Sequence, residues 1–225
     1  MLIDTIPGQV AASDPRVSEI LRRLHVAYPD ARCSLDYADA FQLLVATILS
    51  AQCTDERVNM VTPALFARFP TPAAMAEAST EGIEALIKST GFYHNKAKSI
   101  LGAARKIVED FDGAVPRTMA ALLTVPGAAR KTANVVLSNA YDVVEGVAVD
   151  THVGRLSGRL GFSSAAVPEK IERDLMRILP REEWCFTNHA LIAHGRAVCQ
   201  ARKPNCSACV LLELCPTGLG QGVTT

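Results

Sequence analysis

An all-α fold is predicted, and three observations carry it. Apolar residues recur at three- and four-residue intervals along most of the chain, the period of a helix with one buried face. No segment shows the period-two alternation of a half-buried strand. Cap and breaker residues, chiefly Thr, Asp, Pro and Gly, bracket the apolar stripes. The composition agrees: alanine is abundant and aromatics make up only 5 %, which suits closely packed helices.

Taken in order, residues 1–14 are expected to be poorly ordered. Val17, Ile20, Leu21 and Leu24 then form a first amphipathic stripe. Asp39–Ala51 is apolar on almost every side, so it reads as a central core helix, ended by Ser50–Thr54. Thr54 caps the next helix, with Val58, Val61 and Leu65 inward. Thr71-Pro72 is an N-cap followed by proline at the first helical position. Thr80 is the predicted cap of a helix carrying Ile83, Leu86 and Ile87, ended by Gly91. Gly91–Asn95 reads as a short loop with two adjacent aromatics. A long helix follows, with Ile100, Ala104, Ile107, Val108 and Phe111 on one face, stopped by Gly113 and Pro116. Leu122 and Leu123 end a helix that enters a tight turn at Pro126-Gly127. Ala133, Val136, Leu137 and Ala140 mark the helix that leaves it. Asp142–Gly146 is a connector. Val153, Leu156 and Leu160 make the next stripe. Pro168 opens a helix with Ile171, Leu175 and Ile178, and Pro180 closes it; Trp184–Val198 is the last long helix.

A chain of 225 residues with 49 % hydrophobic content is enough for one large or two modest domains. Its 23 basic and 23 acidic residues cancel, which by itself argues against a nucleic-acid partner. The charge is segregated, however. Between Ala193 and Pro216 the ionisable side chains are His194, Arg196, Arg202, Lys203 and Glu213, besides the cysteines, so this segment is locally basic. Met1–Asp14 lacks the cationic start and long apolar core of a signal peptide, and Phe41–Ala51 is too short to span a bilayer. Seven cysteines, four of them bunched near the C-terminus, do not resemble a secreted disulfide framework. An intracellular protein is expected, cytoplasmic or nucleoid-associated, monomeric and with no membrane partner.

The turn at Pro126-Gly127 is the most informative feature. A turn feeding a helix start points unpaired N–H groups outward, backed by the positive end of the helix dipole. That arrangement suits a phosphate. Arg130 and Lys131 lie in this first turn, where the dipole favours anions, so they fit the arrival of an anion. The plainer reading is a helical turn with two solvated cations.

Three ordered motifs decide between these readings. Leu123-Thr-Val-Pro-Gly127-Ala-Ala129-Arg-Lys131-Thr-Ala-Asn-Val-Val-Leu137 resembles the helix-hairpin-helix of the endonuclease III family of DNA repair glycosylases. Val147-Ala-Val-Asp150-Thr-His152-Val-Gly-Arg155 is similar to that family's catalytic aspartate segment. Cys199-x6-Cys206-x2-Cys209-x5-Cys215 matches its iron–sulfur loop. The resemblance runs from about Phe41 to Cys215. It implies two helical domains with a cleft between them. Residues 33–143 would form a six-helix domain with the hairpin at about 118–141. Residues 1–32 and 144–225 would form a discontinuous domain carrying the cluster loop, 199–215.

The implied activity is that of a bifunctional DNA N-glycosylase and AP lyase. It would act in base excision repair on oxidised pyrimidines and abasic sites in double-stranded DNA. Lys131 would be the nucleophile; a lysine amine attacks only when deprotonated, and Arg130 and the helix N-terminus both disfavour a second positive charge there. Asp150 would stabilise charge developing on the sugar, and as a residue before Thr-His-Val it also reads as a helix N-cap. Cys199, Cys206, Cys209 and Cys215 would hold a [4Fe-4S] cluster. Four thiolates also suit zinc, but the chain has one Cys-x2-Cys pair where zinc ribbons usually show two. Cys33, Cys53 and Cys185 read as ordinary buried thiols.

A glycosylase flips its target out of the duplex, and something must fill the gap. Gln52 matches the family's plugging glutamine. Phe92 stands where the family usually places a leucine wedge, its plainer reading being a core aromatic. Gly127, Ala129 and Arg130 would hold phosphate at the hairpin. His152, Arg155, Arg202 and Lys203 are further expected DNA contacts. The family usually reads Gly-x-Gly in the hairpin, and Ala129 replaces the second glycine. Either a positive φ strains this alanine, or its methyl crowds the phosphate.

Two rival readings stand beside this one. A mismatch adenine or thymine glycosylase on the same fold is disfavoured by Lys131, since monofunctional relatives usually place another residue there. The adenine enzymes also carry a C-terminal domain, which a chain ending soon after Cys215 is expected to lack. A non-catalytic DNA-binding or redox-sensing protein is disfavoured by the presence of both Lys131 and Asp150.

Overall fold

The structure is a computed structural model that describes residues 14–220; the expectation of poor order over 1–14 falls almost entirely outside them. The described residues form α-helices, short 3-10 turns and loops, with no strand among them. In chain order the helices are α1 (Pro15–Ala27), α2 (Ala40–Leu49), α3 (Asp55–Arg68), α4 (Pro72–Ala76), α5 (Thr80–Ile87), α6 (Tyr93–Asp110), α7 (Met119–Leu122), α8 (Arg130–Ala140), α9 (Thr151–Arg159), α10 (Pro168–Ile178), α11 (Trp184–Ala197) and α12 (Pro216–Gly220). No helix among the described residues is long and apolar enough to cross a membrane.

The chain packs as two compact units, Cys33–Glu145 and Met1–Arg32 with Gly146–Thr225. In the first, α2 is the axis. Phe41 and every residue from Leu43 to Leu49 are buried, and α3, α6 and α8 pack on it. Asp39 starts this helix: its carboxylate accepts from the Gln42 amide at 2.8 Å. Thr54 and Thr71 cap α3 and α4 in the same way, accepting from Arg57 and Ala74. In the second unit, α1 buries Val17, Ile20, Leu21 and Leu24 and packs on α11, while α9 packs on α10, α11 and α12.

Several boundaries differ from the sequence reading. Ser79, not Thr80, caps α5, with its hydroxyl accepting from the Gly82 amide at 3.1 Å. The core helix stops at Leu49 rather than Ala51, and α11 stops at Ala197. The loop expected over Gly91–Asn95 shortens to Gly91 and Phe92, because the Asn95 and Lys96 amides already donate to the Phe92 carbonyl. Val108 is exposed rather than part of the buried face of α6.

Candidate functional site

The hairpin is fixed from beneath. The Ala128 amide donates to the Val125 carbonyl at 3.0 Å, closing a turn centred on Pro126 and Gly127. Gly127 has φ 79°, and a Cβ there would lie 3.0 Å from the Ser99 Cβ and 3.1 Å from the Ile48 Cδ1. Only glycine meets both conditions. Pro126 seats in turn on Gly102 of α6, where an added Cβ would approach its ring at 3.2 Å. Val125 and Ala128 are buried, so the turn is anchored by apolar contact.

Helix α8 then starts at Arg130 with no side-chain cap on Ala129, whereas α1 to α5, α7 and α9 all have one. Its first amides have no intrahelical acceptor. Lys131 is exposed on this first turn and Arg130 half-buried. Ala129 has φ −69° and is exposed, so the strained alternative for this alanine is excluded.

Gln52 and Phe92 lie in the same unit and share an unusual backbone. Gln52 has φ 52° and Phe92 φ 46°; the other described non-glycine residues with positive φ are Asp112 and Asp142. Asp tolerates this region, but Gln and Phe adopt it at a cost of ~1–2 kcal/mol each. Gln52 is exposed, and Phe92 is 66 % exposed. The core-aromatic reading of Phe92 is therefore wrong. Strained backbone carrying an exposed aromatic is characteristic of functional positions rather than of packing.

Asp150, His152, Arg155 and the cysteines belong to the other unit. Asp150 is the N-cap of α9, its Oδ1 accepting from the Val153 amide at 2.8 Å, and it stays half-exposed. The run before it, Val147–Val149, is buried, and the Asn188 side-chain amide donates to the Ala148 carbonyl. The carboxylate is thus held in direction by its own helix and in position by α11. Arg155, expected at DNA, faces inward. Its guanidinium donates to the carbonyls of Gly195 at 3.1 Å and Cys199 at 3.0 Å, and reaches His152 Nδ1 at 3.2 Å. Its charge serves the cysteine loop of the same unit. Arg202 and Lys203 are exposed on that loop.

Cys199, Cys206, Cys209 and Cys215 line one pocket with Arg159, Pro204, Leu212 and Gly218. Donors are aimed at three of the sulfurs. Arg159 Nη1 lies 3.1 Å from Cys199 Sγ, the Gly218 amide 3.4 Å from Cys215 Sγ, and His194 Nε2 3.3 Å from Cys209 Sγ. His194 is buried, and burial pulls its pKa down to about 4, so the ring is neutral. A neutral ring donates through one nitrogen only. If Nε2 serves the sulfur, Nδ1 must accept, and the Tyr28 hydroxyl at 2.8 Å supplies that proton.

Comparison with known proteins places this geometry. Residues 45–181 match the model of the HhH-GPD superfamily of base excision DNA repair proteins. Endonuclease III of Synechocystis is 59 % identical over 93 % of this chain and 95 % of its own length. That of Escherichia coli is 42 % identical over 88 % of this chain and 93 % of its own. The chain belongs to the endonuclease III family. Its enzyme class is that of a DNA glycosylase and AP lyase of base excision repair. A solved endonuclease III, in a trapped covalent intermediate with DNA, superposes with a TM-score of 0.89 at 41 % identity, over 95 % of this chain and 99 % of the other.

Within this endonuclease III fold, sequence reasoning missed four groups: Arg159, the Tyr28–His194 pair, Asn188 and Lys96. Arg159 holds the cysteine loop, donating to the carbonyls of Gln200 and Ala201 at 2.8 Å. Its position in the last turn of α9 was the available signal, since a cation there faces whatever follows the helix C-terminus. The others carry no local pattern.

Proposed function

We propose that Lys131 and Asp150 carry out glycosidic cleavage and strand scission on double-stranded DNA containing oxidised pyrimidines or abasic sites. The observation that carries this reading is the exposed Lys131 on the first turn of a helix with no side-chain cap, beside a glycine turn. The amides of a helix start suit the phosphate of the target nucleotide. The uncharged Lys131 amine attacks C1′, and an N–C1′ bond forms. The bond from C1′ to the base breaks, and its electron pair leaves with the base, which takes up a proton. Opening of the sugar at O4′ gives a Schiff base. Loss of a 2′ proton then expels the 3′ phosphate, and water releases Lys131. The Asp150 carboxylate offsets positive charge developing at the sugar. Arg130, Gly127 and Ala129 hold the phosphate; Gln52 and Phe92 occupy the stack vacated by the flipped nucleotide. His152, Arg202 and Lys203 are assigned to the DNA surface.

We also propose that the four cysteines hold a [4Fe-4S] cluster. All four cysteines line one pocket. The donors from Arg159, His194 and Gly218 suit thiolates, which accept hydrogen bonds. The cluster supplies cohesion to the loop when bound, and the chemistry at C1′ belongs to Lys131 and Asp150. We assign the unit Cys33–Glu145 as the hairpin domain and its companion as the cluster domain, in an intracellular protein.

The test is cleavage of duplex DNA carrying thymine glycol. Wild type should leave the unsaturated aldehyde end of β-elimination. Asp150→Asn keeps an N-cap of equal rank but removes the charge. It should keep wild-type stability and lose about 100-fold or more in single-turnover rate. Unchanged rate would reduce Asp150 to a cap.

A further inference from the structure

The strained turn at Phe92 has a buried cation for a neighbour. Lys96, in the first turn of α6, is only 5 % exposed. Its Nζ donates to the Thr90 carbonyl at 2.8 Å, and its backbone amide donates to the Phe92 carbonyl at 3.1 Å. The side chain and the amide therefore grip the chain on both sides of Gly91, which itself has φ 68°. Phe92 serves as the N-cap of α6 with no side-chain cap bond, so these backbone ties are what define it. Burial lowers the Lys96 pKa.

A buried ammonium is an expensive way to fill space. Water-like solvation is lost, and an apolar side chain of similar length packs there at lower cost. The charge is explained if the turn must keep one shape against load, as an inserted wedge must when a base pair opens.

We infer that Lys96 is a positioning residue for DNA opening: its buried ammonium clamps the Thr90–Phe92 turn and holds Phe92 outward for insertion. The inference rests on the reading of Phe92 as an insertion residue, and the test separates the two.

Full-length protein with its cluster is assayed on two DNAs. One is a duplex with thymine glycol opposite adenine and 2-aminopurine as the neighbouring base. The other is a single strand with one abasic site, which needs no opening. Phe92→Ala should lose about tenfold in kcat/KM and most of the 2-aminopurine signal on the duplex, the scale of one lost stacking contact. Lys96→Met should show the same signature while cleaving the single strand within about twofold of wild type. In the double variant the two losses should fall well short of multiplying, because one residue acts through the other. If Lys96→Met fails to fold, Lys96→Gln, which keeps a donor for the Thr90 carbonyl, should give the same split at smaller size. Equal losses on both DNAs, full multiplication in the double variant, or a duplex rate like wild type would overturn the role of Lys96. A Phe92→Ala protein that opens duplex normally would overturn the insertion reading instead.

Discussion

The hairpin in Cys33–Glu145 and the cysteine loop in the other unit are both irregular segments held in one shape, by opposite means. The hairpin rests on apolar contact: Val125 and Ala128 are buried, Pro126 sits on Gly102, and Gly127 fits against Ile48 and Ser99. The cysteine loop buries little. Between Cys199 and Cys215 the buried residues are Leu211 and Leu212. It is tied by arginines instead. Arg16 donates to the Leu214 carbonyl, Arg23 to the Val210 carbonyl and Glu213, Arg155 to the Cys199 carbonyl, and Arg159 to Gln200 and Ala201. A turn seated on a core is stable as part of that core. A loop tied by solvent-accessible charge needs a further source of binding free energy, which the proposed cluster would provide.

The largest effect should come from removing that source. Cys209→Ala should abolish iron binding and the hydrogen-exchange protection of 199–215 and α11. Amides of α2, α6 and α8 should stay protected. Simultaneous loss of α2 protection would erase the contrast between the two regions.

Next come single anchors. Arg159→Met removes several bonds to loop acceptors and should cost ~3 kcal/mol in thermal unfolding of the holoprotein, with incomplete rescue by Arg159→Lys, which lacks the fork. Gly127→Ala should cost ~2 kcal/mol, through positive φ and the contact with Ser99, and should leave iron content unchanged. A drop in iron for Gly127→Ala would show that the two regions depend on each other.

Acid should also separate them. Burial holds the His189 imidazole below its ordinary value of 6.5. Below that pH the unfolded chain binds a proton that the native ring resists, so stability falls as pH drops from about 6.5. Cys33–Glu145 contains one histidine, His94, at the surface. Melting at pH 7.5 and 5.5 should show a smaller acid loss in His189→Gln than in wild type; equal losses would remove His189 from the account.

The smallest effect is at Ala129. Its φ of −69° leaves only the methyl to crowd a phosphate. Ala129→Gly should tighten binding to abasic-site DNA several-fold, at most about tenfold if ~1 kcal/mol is recovered. Single-turnover rate on saturating DNA should be unchanged. Weaker binding would mean that the hairpin is adapted to alanine.

Much of this was legible in the sequence. The caps at Thr54, Thr71 and Asp150 were readable because an N-cap is a local rule, set by one side chain and an amide three residues on. The same rule slipped by one residue at Ser79-Thr80, where either hydroxyl fits the pattern. The left-handed backbone of Gln52 and Phe92 was illegible, since neither residue type favours it. Lys96, Arg155 and Arg159 were illegible for a different reason. A cation in a helix reads as solvated unless the chain brings distant carbonyls to it. His194 reads as one more ionisable residue of a basic segment until Tyr28 and Cys209 are seen on either side of it.

The proposed chemistry requires Lys131 to bond covalently to the sugar. Wild-type protein is mixed with duplex DNA containing an abasic site, reduced with borohydride, digested, and the adduct mapped by mass spectrometry. The reduced sugar should lie on the peptide containing Lys131, and Lys131→Ala should give no adduct. An adduct on any other lysine, or trapping of Lys131→Ala at the wild-type level, would contradict the account.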